Sequence, residues 1–432
     1  MKHIAILLLF LSPMLAQAQF GKNLLDKAKN KAAQRADAKV DKAIDKSLDA
    51  MEGKETQSAT QTPAKPAPQE NKAAEKKEEE KANPVSSYSK YDFVPGERII
   101  YAEDFAQDEI GELPINWNTS AKAELVTLNA APGKWLRIYQ NATYLTSNKD
   151  SFTKNFTIEF DLILQMKPNG WLYPEFEFGF LSTKTDPTND NMFLKDLDKY
   201  ASLQTRLNLG EGGNTATVLE SYFDNKKVFY SERQNLASLE KYYNKVAHIA
   251  IQAQDKRIRI WFNGEKKYDL PMAVPTGYPF NQVYFKMSPS NYKEDMLGFY
   301  LGNIKVATGK PDTRHKLIDE GRFTTTGILF DHASAVIRPE SYGVLKEIAS
   351  SLKDNPTVKI RITGHTSSDG DDAANLELSK QRAAAVKEFL VKEFSISEAN
   401  METEGKGETK PVGDNKTKEG RAQNRRVEFT KL

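Results

Sequence analysis

The rhythm of hydrophobic and polar positions changes along the chain, and each change marks an element. Residues 1–18 read MKHIAILLLFLSPMLAQA. A lysine, the apolar run Ile4 to Leu11 and the small-residue end Ala16-Gln17-Ala18 predict a signal peptide cleaved after Ala18. The run is too short to span a bilayer. In residues 19–51, Leu25, Ala28, Ala32, Ala36, Val40, Ile44 and Leu48 recur at three or four positions. That period predicts a helical or coiled-coil arm, but its stripe is largely alanine and buries little area. The arm is therefore either a helix that pairs, as in a homo-oligomer, or a solvated spacer. Residues 52–92 are dominated by Pro, Ala, Lys, Glu and Gln, with no aromatic before Tyr88. They predict a disordered, extended linker.

From residue 96 to 308 the period becomes two. Ile158, Phe160 and Leu162 alternate with Thr157, Glu159 and Asp161, and Phe176, Phe178 and Phe180 with Glu175, Glu177 and Gly179. Asn263-Gly264 separates two such runs, the strongest short hairpin signal, because both residues tolerate positive φ. Many short alternating runs between turn residues predict an all-β unit whose acids point outward from half-buried strands. A linker over 309–321 follows.

Over 322–432 strands alternate with helices. Thr324 to Phe330 reads as a strand, and Pro339 opens a helix whose inward stripe is Leu345, Ile348, Ala349 and Leu352. Val358, Ile360 and Ile362 form the next strand. A polar loop leads into a second helix, expected from about Ser379 to Phe394. Strands near 401–406 and 425–430 close a mixed sheet. The fold class is thus multidomain: an all-β unit followed by an α/β (βαβαββ) domain.

Composition narrows the function. Lys plus Arg number 61 and Asp plus Glu 59, so no global field points to nucleic acid. The chain has no cysteine, which excludes disulfides, thiolate metal sites and lipid attachment through a cysteine of this sequence. No His companions at metal spacing appear, and no cofactor or metal is expected.

The blocks ILFDHASAVIRPE at 328–340, ITGHTSSDGDDAANLELSKQRAAAV at 362–386, GKGETKPV at 405–412 and TKEGRAQNRRVEF at 417–429 are similar to the OmpA-like peptidoglycan-binding family. The resemblance implies non-covalent binding of the cell-wall stem peptide through its diaminopimelate. It places Arg382 on a ligand carboxylate, with Thr366 and Asn375 shaping the pocket. Of Arg425 and Arg426, one would support the loop and the other face solvent. The chain departs from the family at Ser367, where an Asp usually meets the ligand ammonium. Asp369, Asp371 or Asp372 could stand in; otherwise the preference is altered, or the domain is structural. The resemblance also implies the periplasm of a Gram-negative cell, associated with wall and outer membrane.

The segments YAEDFAQDEIGELPINW, VAHIAIQAQDKRIRIWFNGEKKYDLP and FYLGNIKVA resemble the concanavalin A-like lectin/glucanase (LamG-type) jelly-roll sandwiches, so the resemblance makes the all-β unit a jelly-roll sandwich. This implies a fold that contacts glycan or another envelope protein. The acid pairs Glu159/Asp161 and Glu175/Glu177 lack the three-acid strand of the glucanases, so the chain is expected not to be an enzyme. A glycan-active hydrolase and a purely structural scaffold are the alternatives. Trp117, Trp171 and Tyr173 are candidates for stacking on sugar or filling the core; His248 and His315 are expected to bind nothing.

Overall fold

The computed structural model describes residues 91–432. The expected signal peptide, the arm and most of the linker lie outside the described residues. Among these, two eight-stranded antiparallel sheets build the first part of the structure. One runs Glu265–Leu270, Arg257–Phe262, Val246–Gln254, Asn155–Met166, Leu297–Thr308, Lys134–Ile138, Ala123–Thr127, with Arg98–Glu103 also paired to Leu297–Thr308. The other is centred on Ala201–Asn208, Phe176–Ser182 and Gln282–Met287.

The alternation read from the sequence decides how they stack. Phe156, Ile158, Phe160, Leu162 and Leu164 face Phe176, Phe178, Phe180 and Phe285 in one apolar core. Phe160 meets Phe178 and Phe285 edge-on at 5.1 Å, the geometry that aromatic quadrupoles favour. Asn263 and Gly264 turn with φ 47° and 87°, as the hairpin requires.

The C-terminal part is a four-stranded sheet in the order Arg322–Thr325, Val427–Lys431, Ile360–Gly364, Met401–Gly405; only the last pair is parallel. Helices α1 (Tyr342–Lys353), α2 (Asp372–Phe394) and α3 (Lys418–Asn424) accompany it. Leu345, Ile348 and Leu352 of α1 meet Ala383, Val386 and Leu390 of α2 over Ile360, Ile362 and Phe429.

The structure corrects several expectations. Helix α2 begins at Asp372, well before Ser379, because Asp371 accepts a hydrogen bond from Ala374 N at 2.9 Å and caps a run of helix formers. Helix α3 was not expected between the last two strands; Thr417 caps it, its side chain accepting from Gly420 N at 3.0 Å. The expected strand Thr324 to Phe330 ends at Thr325, and Phe330 instead bridges to Ile337 across a loop.

The linker expected to run disordered to residue 92 is packed from Tyr91 onward. Tyr91 and Phe93 lie against Trp261, and Asp92 accepts from Trp261 Nε1 at 2.9 Å. Val94 enters the C-terminal core instead. This strap runs so close to α1 that a Cβ on Gly343 would meet Phe93 O at 2.2 Å. Residues 309–321 are also packed rather than a free connection: they hold a helical turn at His315–Asp319 with Leu317 buried in the C-terminal core.

Finally, Glu159 and Asp161 do point outward from their sheet, yet they are only 4% and 2% exposed. The strap and the C-terminal domain cover that face. Asp161 sits opposite His248 in the strand register and Glu159 opposite Ala250. His248 Nδ1 lies 2.7 Å from Asp161 and its Nε2 3.4 Å from Glu159. Lys305 approaches Glu159 at 3.3 Å, Asn303 donates to Asp161 at 2.8 Å, and Arg338 reaches Asp161 from the C-terminal domain at 3.5 Å.

Candidate functional site

The site forms where strand Ile360–Gly364 ends and α2 begins. Gly364 is required there: a Cβ would meet Ser379 O at 2.2 Å, so helix and strand pack backbone to backbone. Ser379, placed on the second turn rather than at the start, is fully buried. It donates to Leu376 O at 2.7 Å and accepts from Gly407 N at 2.8 Å, tying α2 to the loop after Met401–Gly405. Thr366 N donates to Gly407 O at 2.9 Å, while its hydroxyl is buried with no hydrogen-bond partner. Asn375 Nδ2 donates to Asp369 O at 3.1 Å and Glu408 Oε2 at 2.8 Å, which fixes the loop shape.

One contact sets the three loop acids apart. The Ser367 hydroxyl donates to Asp369 Oδ2 at 2.8 Å. Asp371 is occupied as the helix cap, and Asp372 opens the first turn. Asp369 is therefore the carboxylate beside Ser367. Arg425 Nη1 stands 3.5 Å from it and Arg421 Nε 3.8 Å. Arg421 is nearly fully buried; its Nη1 donates to Asn415 O at 3.1 Å, while Nε and Nη2 make no hydrogen bond. Arg426 is the loop support: it is buried and donates to Lys410 O at 2.9 Å. Arg425 is the more open of the two and also pairs with Asp104 of the sandwich at 3.2 Å.

Arg382 projects from the third turn of α2. Its Nε donates to Ser334 O at 2.9 Å, and its guanidinium lies 4.9 Å from the Phe330 ring centroid. Among the described residues it has no carboxylate partner, and its terminal nitrogens make no hydrogen bond. Burial, and then the neighbouring Arg425, pull its pKa below the ordinary arginine value. A half-buried, unneutralised cation with a free fork suits a bidentate carboxylate from outside. Thr366, Ser367, Asp369, Asn375 and Arg425 thus form one connected cluster. Arg382 stands near enough to feel the Arg425 charge. Sequence reasoning missed Phe330, Ser334, Arg421 and Asp104, although all four lie within blocks that carried a resemblance.

The other candidates separate. Trp117 is buried and Trp171 is 54% exposed. Tyr173 stacks on Tyr292 at 5.0 Å. Glu177 accepts from Tyr284 at 2.9 Å and, with Glu175, flanks Arg206. Glu159 and Asp161 are closed off by His248 and Arg338 as described.

Residues 329–425 match the OmpA family model. The C-terminal part of this chain is an OmpA family domain. Outer membrane porin F of Pseudomonas fluorescens is 43% identical over 101 residues, which is 23% of this chain and 31% of that protein. The peptidoglycan-binding protein ArfA of Mycobacterium bovis is 38% identical over 102 residues, 24% of this chain and 31% of that one. The chain therefore spans about a third of the length of these curated relatives. Among solved structures, the peptidoglycan-associated lipoprotein from Burkholderia pseudomallei shares 31% identity, covering 24% of this chain and 88% of that one, with a TM-score of 0.23. The OmpA family domain leaves the sandwich outside its bounds.

Proposed function

We propose that this chain is an exported cell-envelope protein that binds peptidoglycan non-covalently through residues 322–432. The ligand is the stem peptide, chiefly its diaminopimelate: Arg382 takes a carboxylate and Asp369, held by Ser367, faces the ammonium. The observation that carries the reading is the Arg382 guanidinium, anchored through Nε yet without a carboxylate among the described residues. The name of a relative, peptidoglycan-binding protein, supports it. The setting is the periplasmic side of the envelope. The sandwich, read as a concanavalin A-like jelly roll, presents a surface for glycan or protein contact, and the chain is not an enzyme.

Co-sedimentation of the full mature chain with diaminopimelate-type sacculi tests this. Truncating one partner of a half-buried charge pair costs about 2 kcal/mol, so Arg382→Ala should weaken binding roughly 30-fold. Equal binding by wild type and Arg382→Ala would remove Arg382 from the site. Failure of the wild type to sediment would remove the function.

A further inference from the structure

Arg382 is held at one point by a loop, and that loop is itself held by the sandwich. Residues 330–337 form a hairpin-like turn closed by the Phe330–Ile337 bridge. Inside it, Ser334 N donates to Asp331 O at 3.1 Å and Asp331 N to Val336 O at 3.0 Å. Ala333 turns with φ 48°, a left-handed conformation that is uncommon for alanine. The turn presents Ser334 O to Arg382 Nε and the face of Phe330 to its guanidinium plane. At its end Arg338 N donates to Leu329 O at 2.9 Å, so the Arg338 backbone and the turn are one unit.

The Arg338 side chain leaves that unit and enters the other domain. It lies 3.5 Å from Asp161 Oδ2 and 3.3 Å from Glu340 Oε1. Asp161 cannot swing to follow a moving partner. Its Oδ1 is taken by His248 Nδ1 and its Oδ2 also accepts from Asn303, all on strands of one sheet. Glu159 and Lys305 close the cluster from the adjoining positions.

We infer that Arg338 is a positioning residue for Arg382: the sandwich, through Asp161, fixes the 330–338 turn that orients the carboxylate-binding guanidinium. This rests on the peptidoglycan reading above for what Arg382 binds. An arginine fork on a long flexible stem loses much of its freedom when it grips a carboxylate, and fixing it beforehand removes part of that cost. The sandwich then contributes to wall binding without touching the ligand.

The test uses the full mature chain and three variants, Arg338→Gln, Arg338→Lys and Asp161→Asn. Two readouts are taken: affinity for diaminopimelate-type sacculi, and hydrogen exchange of the segment 330–338. Arg338→Gln is expected to weaken binding about tenfold and to speed exchange in 330–338. Arg338→Lys, which keeps a cation within reach of Asp161, should recover most of the affinity and the slow exchange. A merely structural role would not discriminate in this way between variants of equal melting temperature. Should Arg338→Gln not fold, Asp161→Asn carries the same two expectations. Wild-type affinity together with wild-type exchange in Arg338→Gln overturns the inference. If the wild type itself does not bind sacculi, the peptidoglycan reading falls. The exchange of 330–338 then decides alone: unchanged exchange refutes the link, and accelerated exchange upholds it.

Discussion

Replacing His248 by Gln makes the buried cluster at the domain seam measurable. Burial disfavours the charged imidazole, but the hydrogen bond to Asp161 and the Glu159 carboxylate 3.4 Å away outweigh it and raise His248 to about 9. Every element packed here contributes a charged or titratable group: Glu159 and Asp161 from the adjacent strand, Lys305 from the next, Arg338 and Glu340 from the C-terminal domain, Tyr91 from the strap. Because the folded-state value is raised, the stabilisation is fully present below the unfolded value of ~6.5 and is lost as pH rises through about 9. At ~1.36 kcal/mol per pH unit, the interval from ~6.5 to about 9 is worth about 3 kcal/mol. Urea unfolding of wild type and His248→Gln, followed from about pH 6 to about pH 9.5, should show a stability gap that narrows by about that amount. The acids titrate elsewhere. Burial works against Glu159, yet Lys305 and His248 pull it down to about 2, so its share is lost only in strong acid. Parallel curves for the two proteins across this window would refute a charged His248.

Two further outcomes follow from the site and the strap. Asp369→Asn should weaken binding of a stem peptide with a free side-chain ammonium by about 1 kcal/mol, a modest value because the carboxylate is exposed, and should not affect a peptide whose amine is acetylated. Calorimetry with both peptides checks this, and equal losses for the two would take the ammonium away from Asp369. Gly343→Ala forces a Cβ against Phe93 O, a backbone atom that cannot rotate away. Overpacking of this kind costs about 1–3 kcal/mol, so chymotrypsin should cut sooner at Tyr91 or Phe93. An unchanged cleavage rate would mean that the strap is not held there.

Much of this architecture was legible in the sequence because it rests on local rules. The period-two runs placed Phe156 to Leu164 and Phe176 to Phe180 inside, and Asn263-Gly264 marked its own turn. Arg382 was singled out by its surroundings rather than its own character. What escaped were features set by packing across long separations. Alternation told which way Glu159 and Asp161 point, but not that another domain covers that face. The Asp-rich stretch before α2 read as loop because Asp favours turns; in the fold Asp371 caps, and the alanines after it continue the helix. Helix α3 is short and polar and carries little apolar period. It is held by contacts to the strand Arg98–Glu103, including Gln423 to Ile99 N at 3.0 Å and Lys418 to Glu103 at 2.6 Å.

The strap has a mechanical consequence. A chain held at its C-terminal domain and pulled from its N-terminal side would take the load at residues 91–96. That segment belongs to neither domain alone: Tyr91 and Phe93 grip Trp261, Val94 sits in the C-terminal core, and Gly96 N is tied to Thr157 at 2.9 Å. Tension would reach the sandwich and the C-terminal domain together rather than one after the other.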